Sequence, residues 1–553
     1  QDYGYYQYTD SSQKATVVSQ ETVLTSVPDQ LYATDDPYSP SISAYSVSSG
    51  SVKPYQAAFG HWSHLASTLF DFTPVDTLDF TNTHVVTFAI DSLRYWAKRI
   101  GIDGFRFDLG VTLARLEGEF THHHPFLYAL RSDLLLGNLK LIMEPWDLGN
   151  LGWRTGQFSV PFAEWNDRFR DTARTFWLED VDGGSDFGRI SLQEMSTRLC
   201  GSADLFATEP GRGAPASINF VSCHDGFTLT DLTRYRSKHN EANGENNNDG
   251  SSVNHSANFG VEGVTDDPDV IAAREQAAMN MIGMLLLSLG TPMMLAGDEF
   301  RNTQDGNNNA YCQDNDITWL KWDWMYSTNK TREMRRLETV SRLVALRKSL
   351  DLYHHEDFFT RLTQLGLLKP SSRVQWFLPD GTTPMERDWF DLGVRSFTMR
   401  LLSNSEVDVC IVVNGTADDR TFRLPPDTHW TPKWCSAEIN GRRAGHGTQV
   451  EECDLNGDTT VWTQHVPDAS ETVLKMVEEV AMQRTESSTE NEADTIKFAM
   501  PVTDHAANGT SSAPRDEVSA DMPDAPVDDT PDTPVDDNVW TMPALSITLM
   551  KQV

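Results

Sequence analysis

Positive charge, closely spaced cysteines and long apolar runs are all scarce in this sequence. Lys and Arg number 45 against 80 Asp and Glu, a formal net charge of −35 over 553 residues. Such a surface argues against nucleic acid and anionic membranes as partners and is indifferent to a neutral sugar polymer. The six cysteines, Cys200, Cys223, Cys312, Cys410, Cys435 and Cys453, show no Cys-x-x-Cys spacing; the expectation is reduced thiols, buried or at the surface of a cytoplasmic protein. No apolar span reaches the ~18 residues of a membrane helix, and no charged-then-apolar leader opens the chain, so neither a membrane span nor a signal peptide is expected. The most apolar stretch, Ala277 to Leu289, is interrupted by Asn280 and preceded by Arg274 and Glu275, which predicts a buried helix.

What the chain does have is a repeated shape, apolar residues ending in an acid. It occurs in Gly104-Phe-Arg-Phe-Asp108, in Lys140-Leu-Ile-Met-Glu144 and in Ile218-Asn-Phe-Val-Ser-Cys-His-Asp225. Each predicts a strand that delivers a carboxylate at its C-terminal end, followed by Gly, Pro or loop residues. Helix-like stretches separate them, so the strands should be parallel and joined by crossovers. In a parallel barrel these acids and His224 converge on the C-terminal face. A lone Asp is usually a helix cap or a solvated loop residue. Three acids in one context, with Arg106 two places before Asp108 and His224 directly before Asp225, point to a shared site.

Several of these segments resemble a known family. Gly101-Ile-Asp-Gly-Phe-Arg-Phe-Asp108, Met143-Glu-Pro-Trp146, Phe220-Val-Ser-Cys-His-Asp225 and Gly290-Thr-Pro-Met-Met-Leu-Ala-Gly-Asp-Glu299 look like motifs of the α-amylase superfamily of glycoside hydrolases. Narrower marks resemble its isoamylase and bacterial glycogen-debranching branch. They are Glu164-Trp-Asn-Asp167, His224-Asp-Gly-Phe-Thr-Leu229, Lys238-His-Asn-Glu-Ala-Asn-Gly-Glu245 and Gly306-Asn-Asn-Asn-Ala-Tyr-Cys-Gln-Asp-Asn315. The resemblance runs from about Thr77 to Leu350.

It implies a retaining hydrolase of α-1,6-glucosidic branches in glycogen or limit dextrin, with Asp108 as nucleophile and Glu144 as acid/base, the two carboxyl groups ~5–5.5 Å apart. Asp225 would hold sugar hydroxyls and stabilise the oxocarbenium-like transition state, with His224 donating a hydrogen bond beside it. Arg106 shares a strand face with Asp108 and keeps that carboxylate ionised. Glu144 needs a raised pKa, which nearby acids and apolar walls such as Trp146 can supply. Asn315 is expected among the substrate-binding residues. No cofactor or metal is implied. The rival to an enzyme is a catalytically impaired glucan-binding protein or fragment that kept its acids by descent. An α-1,4-acting amylase is a weaker rival.

The fold expected is α/β: a (β/α)8 TIM-barrel type domain followed by a C-terminal antiparallel β-sandwich. Family members carry three barrel strands before the segment matched here, the third ending in Asp-x-x-x-Asn-His. No such motif precedes Asp108, so the chain is expected to be a fragment supplying strands four to eight. Residues 1–75 are expected to be irregular or disordered, residues 76–365 the partial barrel and residues 366–480 the β-sandwich. Residues 481–537 are expected to be a disordered acidic insertion, and residues 538–553 the last sandwich strand. Within that insertion, residues 485–537 hold 14 acids against Lys497 and Arg515.

Trp146, Trp153, Phe162 and Trp165 are candidate sugar-stacking platforms or core aromatics. Asn240 to Asn258 is expected to be an ordered polar loop near the site, and Asn307 to Asn315 to line subsites. His122-His-His124 predicts a solvated loop rather than a metal site. His84 is placed in a loop before a helix over Ile90 to Ile100, and Asp298 and Glu299 at the end of a strand, with a mainly structural role. Lys330 to Leu350 predicts a helix. Asp454-Leu-Asn-Gly-Asp458 is read as a turn rather than a calcium loop.

Overall fold

Short apolar segments that stop at an acid, a Gly or a Pro build the first sheet. The computed structural model describes residues 78–149, 151–179, 189–208, 211–354, 358, 374–402, 408–426, 429–447, 449–452, 538–544 and 546–552. The expectations for residues 1–75, the acidic insertion and Asp454 to Asp458 lie outside the described residues.

Five parallel strands form this sheet: β1 (Gly104–Phe107), β2 (Lys140–Met143), β3 (Ala163–Asn166), β4 (Ser217–Asn219) and β5 (Thr291–Pro292). Their order across the sheet is their order along the chain. β1 and β2 are in register from Gly104 opposite Lys140 to Phe107 opposite Met143. That approach demands glycine, because a Cβ on Gly104 would stand 2.6 Å from the Lys140 Cβ. Met143 then faces Glu164, Asn166 faces Asn219, and Asn219 faces Pro292. Among the described residues the outer edges of β1 and β5 have no strand partner.

Helices α1 (Thr83–Tyr95), α2 (Pro125–Ser132), α3 (Asp167–Arg174), α4 (Leu192–Leu199), α5 (Pro268–Leu287) and α6 (Arg332–Lys348) accompany the strands. α1 begins earlier than the sequence suggests, because the Asn82 side chain accepts from the His84 amide and caps it. His84 therefore sits in the first helical turn. α2 is capped by His124, whose Nδ1 accepts from the Phe126 amide at 3.2 Å. His124 is fully buried, which lowers its pKa, so it is not part of a solvated loop.

α5 carries the run predicted to be buried. By length and composition it is apolar enough to cross a membrane, yet 72% of that apolar window is buried inside the fold.

The second half is antiparallel. β6 (Val374–Phe377), β7 (Ser396–Leu401), β8 (Val409–Asn414), β9 (Arg420–Arg423), β10 (Trp430–Cys435), β11 (Val539–Met542) and β12 (Ser546–Gln552) form two sheets. The larger is ordered β10-β12-β8-β7-β6; the smaller pairs β11 with β9 and with Gly445–His446. An apolar cluster of Val412, Phe422, Leu424, Trp540 and Met550 unites residues of both sheets.

The other face of the larger sheet shares one core with the helices: Phe397, Ile411, Trp434 and Leu549 pack in the same cluster as Met281, Leu285 and Leu343. Gly283, toward the C-terminal end of α5, makes this possible, since a Cβ there would lie 2.7 Å from Ile547 and 2.9 Å from the Trp434 ring. Polar ties flank the apolar contact. The Trp434 indole donates to the Thr339 carbonyl, and Gln276 to the Ser436 hydroxyl at 2.9 Å.

Candidate active site

Two carboxylates stand side by side at the ends of β1 and β2. Asp108 follows Phe107 and Glu144 follows Met143, and the two strands are in register there. One guanidinium serves both: Arg106 Nη1 lies 2.5 Å from Asp108 Oδ1, and Nη2 lies 3.0 Å from Glu144 Oε2. The Leu109 amide also donates to Glu144 Oε2 at 2.6 Å. To aim that N–H, Leu109 adopts φ +43, a left-handed conformation costly for a leucine.

The Glu144 side chain is 8% exposed, against 20% for Arg106 and 18% for Asp108. Burial pushes the Glu144 pKa up to about 8. Arg106 works against that shift, and the Asp108 charge, with a hydrogen bond to Asp108, works for it. The site thus holds one carboxyl group that keeps its proton at neutrality beside another that faces a cation. This is the division of labour required of an acid and a nucleophile.

Beneath the guanidinium lies Trp165, on β3. Arg106 Cζ sits 4.3 Å from its ring centroid, and the indole, 6% exposed, also meets Phe220 at 5.4 Å and His224 at 5.9 Å. Trp165 is therefore a floor under Arg106 rather than an open stacking platform. Phe162 is buried in the core, and Trp153 turns its indole N–H to Asp167 at 2.7 Å. Trp146 is half-buried, 6.5 Å from Trp165, and remains beside the cluster.

The third acid arrives differently from the expectation. β4 ends at Asn219, so His224 and Asp225 come from the loop beyond it, and both side chains are exposed. His224 joins the cluster through Trp165. No described hydrogen bond or ion pair ties the Asp225 carboxylate to Asp108 or Glu144. The Cys223 thiol donates to the Asp225 carbonyl at 3.2 Å.

Asp298 and Glu299 likewise follow β5 in a short helical turn rather than ending it. Asp298 accepts from the Ser222 hydroxyl and from the Leu229 amide, and burial pushes its pKa up to about 7. Asn315 donates its amide to Gln313 within its own exposed turn, and no described hydrogen bond links it to Asp108 or Glu144. Among the described residues no group of three or more His, Cys, Asp or Glu is placed to hold a metal ion.

Two polar loops are tied together as one unit. Asn240 and Asn308 exchange reciprocal hydrogen bonds at 2.9 Å, and Asn309 and Asn243 both donate to Asp249. Lys238 Nζ is capped by the carbonyls of Asn248, Asp249 and Gly250. Asn307 and Asn308 are buried, so these two brace the loops from within. The acids of Glu164-Trp-Asn-Asp167 are also scaffold: Glu164 pairs with buried Arg212, and Asp167 accepts from Trp153 and Thr155.

Fold and site together define a class: a parallel α/β sheet presenting paired strand-end carboxylates, backed by an antiparallel β unit. Comparison with known proteins carries this further. No protein-family profile matches the chain. The chain is 39% identical over 382 residues to the "Glycogen debranching enzyme" of Pectobacterium atrosepticum, spanning 69% of this chain and 53% of that protein. It is 41% identical over 334 residues to the "Glycogen operon protein GlgX homolog" of Mycobacterium bovis, spanning 59% and 44%. The chain thus spans about half the length of the curated relatives it matches, and its resemblance to the glycogen-debranching branch of the α-amylase superfamily stands. Among solved structures, a pullulanase from Bacillus acidopullulyticus aligns at 19% identity and TM-score 0.43, covering 64% of this chain and 37% of its own. The catalytic module of the glycogen-degrading pneumococcal virulence factor SpuA aligns at 13% and 0.45, covering 86% and 56%.

Proposed function

We propose that this chain carries the carboxylate pair of a retaining α-1,6-glucan hydrolase that removes branches from glycogen or limit dextrin in the cytoplasm. The observation that carries the reading is the single Arg106 guanidinium spanning Asp108 and Glu144, the second of which burial holds at a raised pKa. Asp108 attacks the anomeric carbon while Glu144 gives its proton to the departing glycosidic oxygen. Glu144 then takes a proton from the water that cleaves the glycosyl-Asp108 ester. Asp225 and His224 meet the sugar hydroxyls from the loop after β4, Trp146 borders the cleaved unit, and Asn315 contributes from the polar loops. The relatives' names support a glycogen substrate.

On this reading β1 to β5 are strands four to eight of a (β/α)8 barrel within residues 76–365. Residues 366–480 and 538–553 are the sandwich, and residues 481–537 an insertion. Purified chain should release reducing ends from glycogen, and Asp108→Asn should lower that rate by at least about a thousandfold. Equal rates for the two proteins would overturn it.

One observation favours the non-catalytic reading. Asp108 and Glu144 share a hydrogen bond, a closer approach than the ~5–5.5 Å over which a sugar is cleaved with retention. Glycogen binding without release of reducing ends would support it.

A further inference from the structure

An arginine-lined cleft, sharing no lining residue with the carboxylate pair, lies between the segment after β4, the start of α5, the turn after β5 and the start of α6. It encloses about 290 Å3, and four guanidinium groups, Arg234, Arg274, Arg301 and Arg332, line it against the carboxylates of Asp266 and Glu275. In a chain of net charge −35 such a concentration of positive charge is out of keeping with its surroundings.

The carboxylates engage Arg301 but not Arg274. Glu275 is shared between Arg301 at 2.7 Å and Arg336 at 2.8 Å, and Arg301 takes a second partner in Glu333 at 3.0 Å. Arg274, 5% exposed, has no carboxylate partner: its Nη atoms donate to the carbonyls of Gly263, Asn258 and Val261. Its Nε is buried with no hydrogen-bond partner. Burying a guanidinium without a counter-ion is costly. Beyond burial itself, the neighbouring Arg234 charge lowers the Arg274 pKa, opposed by Tyr235 and by Glu262. Glu262 is already engaged by the amides of Arg236 and Ser237 and by Asn258. Arg301 reaches its place from a left-handed backbone, φ +70, which a non-glycine residue adopts only under constraint.

We propose that this cleft binds a small phosphate-bearing anion, inorganic phosphate or the phosphate group of a sugar phosphate, between the exposed Arg332, the half-buried Arg234 and Arg301, and the buried Arg274. Planar guanidinium forks match phosphate oxygens two at a time. A volume of about 290 Å3 lies at the small end of ligand sites, which suits a sugar phosphate better than a polymer.

The test is isothermal titration calorimetry of the full chain at constant ionic strength, with inorganic phosphate and, in a second arm, glucose 1-phosphate. Saturable binding is expected, weakened at least tenfold in Arg234→Gln/Arg332→Gln and unchanged in Asp108→Asn. Tighter binding of glucose 1-phosphate assigns the sugar phosphate, and equal binding assigns the phosphate group alone. Arg332→Gln, at an exposed position, serves if the double variant does not fold, with at least threefold weakening expected. Absence of saturable binding, equal affinity in the variants, or loss of binding in Asp108→Asn would overturn the proposal.

Discussion

At Glu144, burial and the neighbouring Asp108 outweigh the favourable charge of Arg106, and the consequence is a dependence of stability on pH. In the unfolded chain the group ionises near ~4.3, whereas in the folded protein it does so at about 8. Between these values the folded state holds a proton that the unfolded state has released, so stability falls as pH rises through that window. Glu144→Gln removes this contribution. The variant's melting temperature is expected to match the parent's near pH 4.5 and to exceed it increasingly up to pH 8.5. Parallel melting curves across that range would contradict the assignment. The same carboxyl can act as a general acid only below about pH 8. At this scale the sequence was legible where period-two alternation places a side chain directly: Asp108 and Glu144 each follow an apolar strand, and Arg106 shares the face of Asp108. Trp165 was not legible as the floor of Arg106, because that contact depends on β3 lying one strand beyond β2 from β1. Nothing in a four-residue strand announces its neighbours.

Among the elements, the long helices were the most readable. The stripe over Lys330 to Leu350 corresponds to α6 at Arg332–Lys348, with Thr331 as its cap. The strands are shorter than their apolar runs suggest: β4 stops at Asn219 and β5 at Pro292, so Asp225, Asp298 and Glu299 are loop and turn residues. Apolar content cannot separate a strand from the buried loop that continues it; the position of Phe220 and Val221, fully buried beyond β4, shows why. Gly283 carries no signal in the sequence beyond being a glycine in a helix, usually a cost of ~1 kcal/mol. Its reason is tertiary, the close approach of Trp434 and Ile547. Gly283→Leu is therefore expected to destabilise the protein by ~1–3 kcal/mol through overpacking, read as a lower urea midpoint. An unchanged midpoint would show that the interface yields more easily than the spacing implies.

For the whole molecule, an antiparallel β-sandwich was expected over residues 366–480, with its last strand over 538–553. The sequence did not reveal that the larger sheet and helices α5 and α6 share one core, because that depends on which faces meet. β12 lies between β8 and β10 and pairs with both, Ile411 opposite Leu549 on one side and Cys435 opposite Thr548 on the other. Removing residues 546–552 is expected to unfold the larger sheet and expose the core shared with α5, read as loss of a cooperative thermal transition. A truncated chain that melts like the parent would contradict the placement of that strand.

The position of β12 between β8 and β10 also sets a schedule for synthesis. β8 and β10 leave the ribosome more than a hundred residues before the strand that must lie between them, so during translation the edges that β12 pairs with wait unpaired. Chaperone demand while the chain is being made should fall once that final strand emerges.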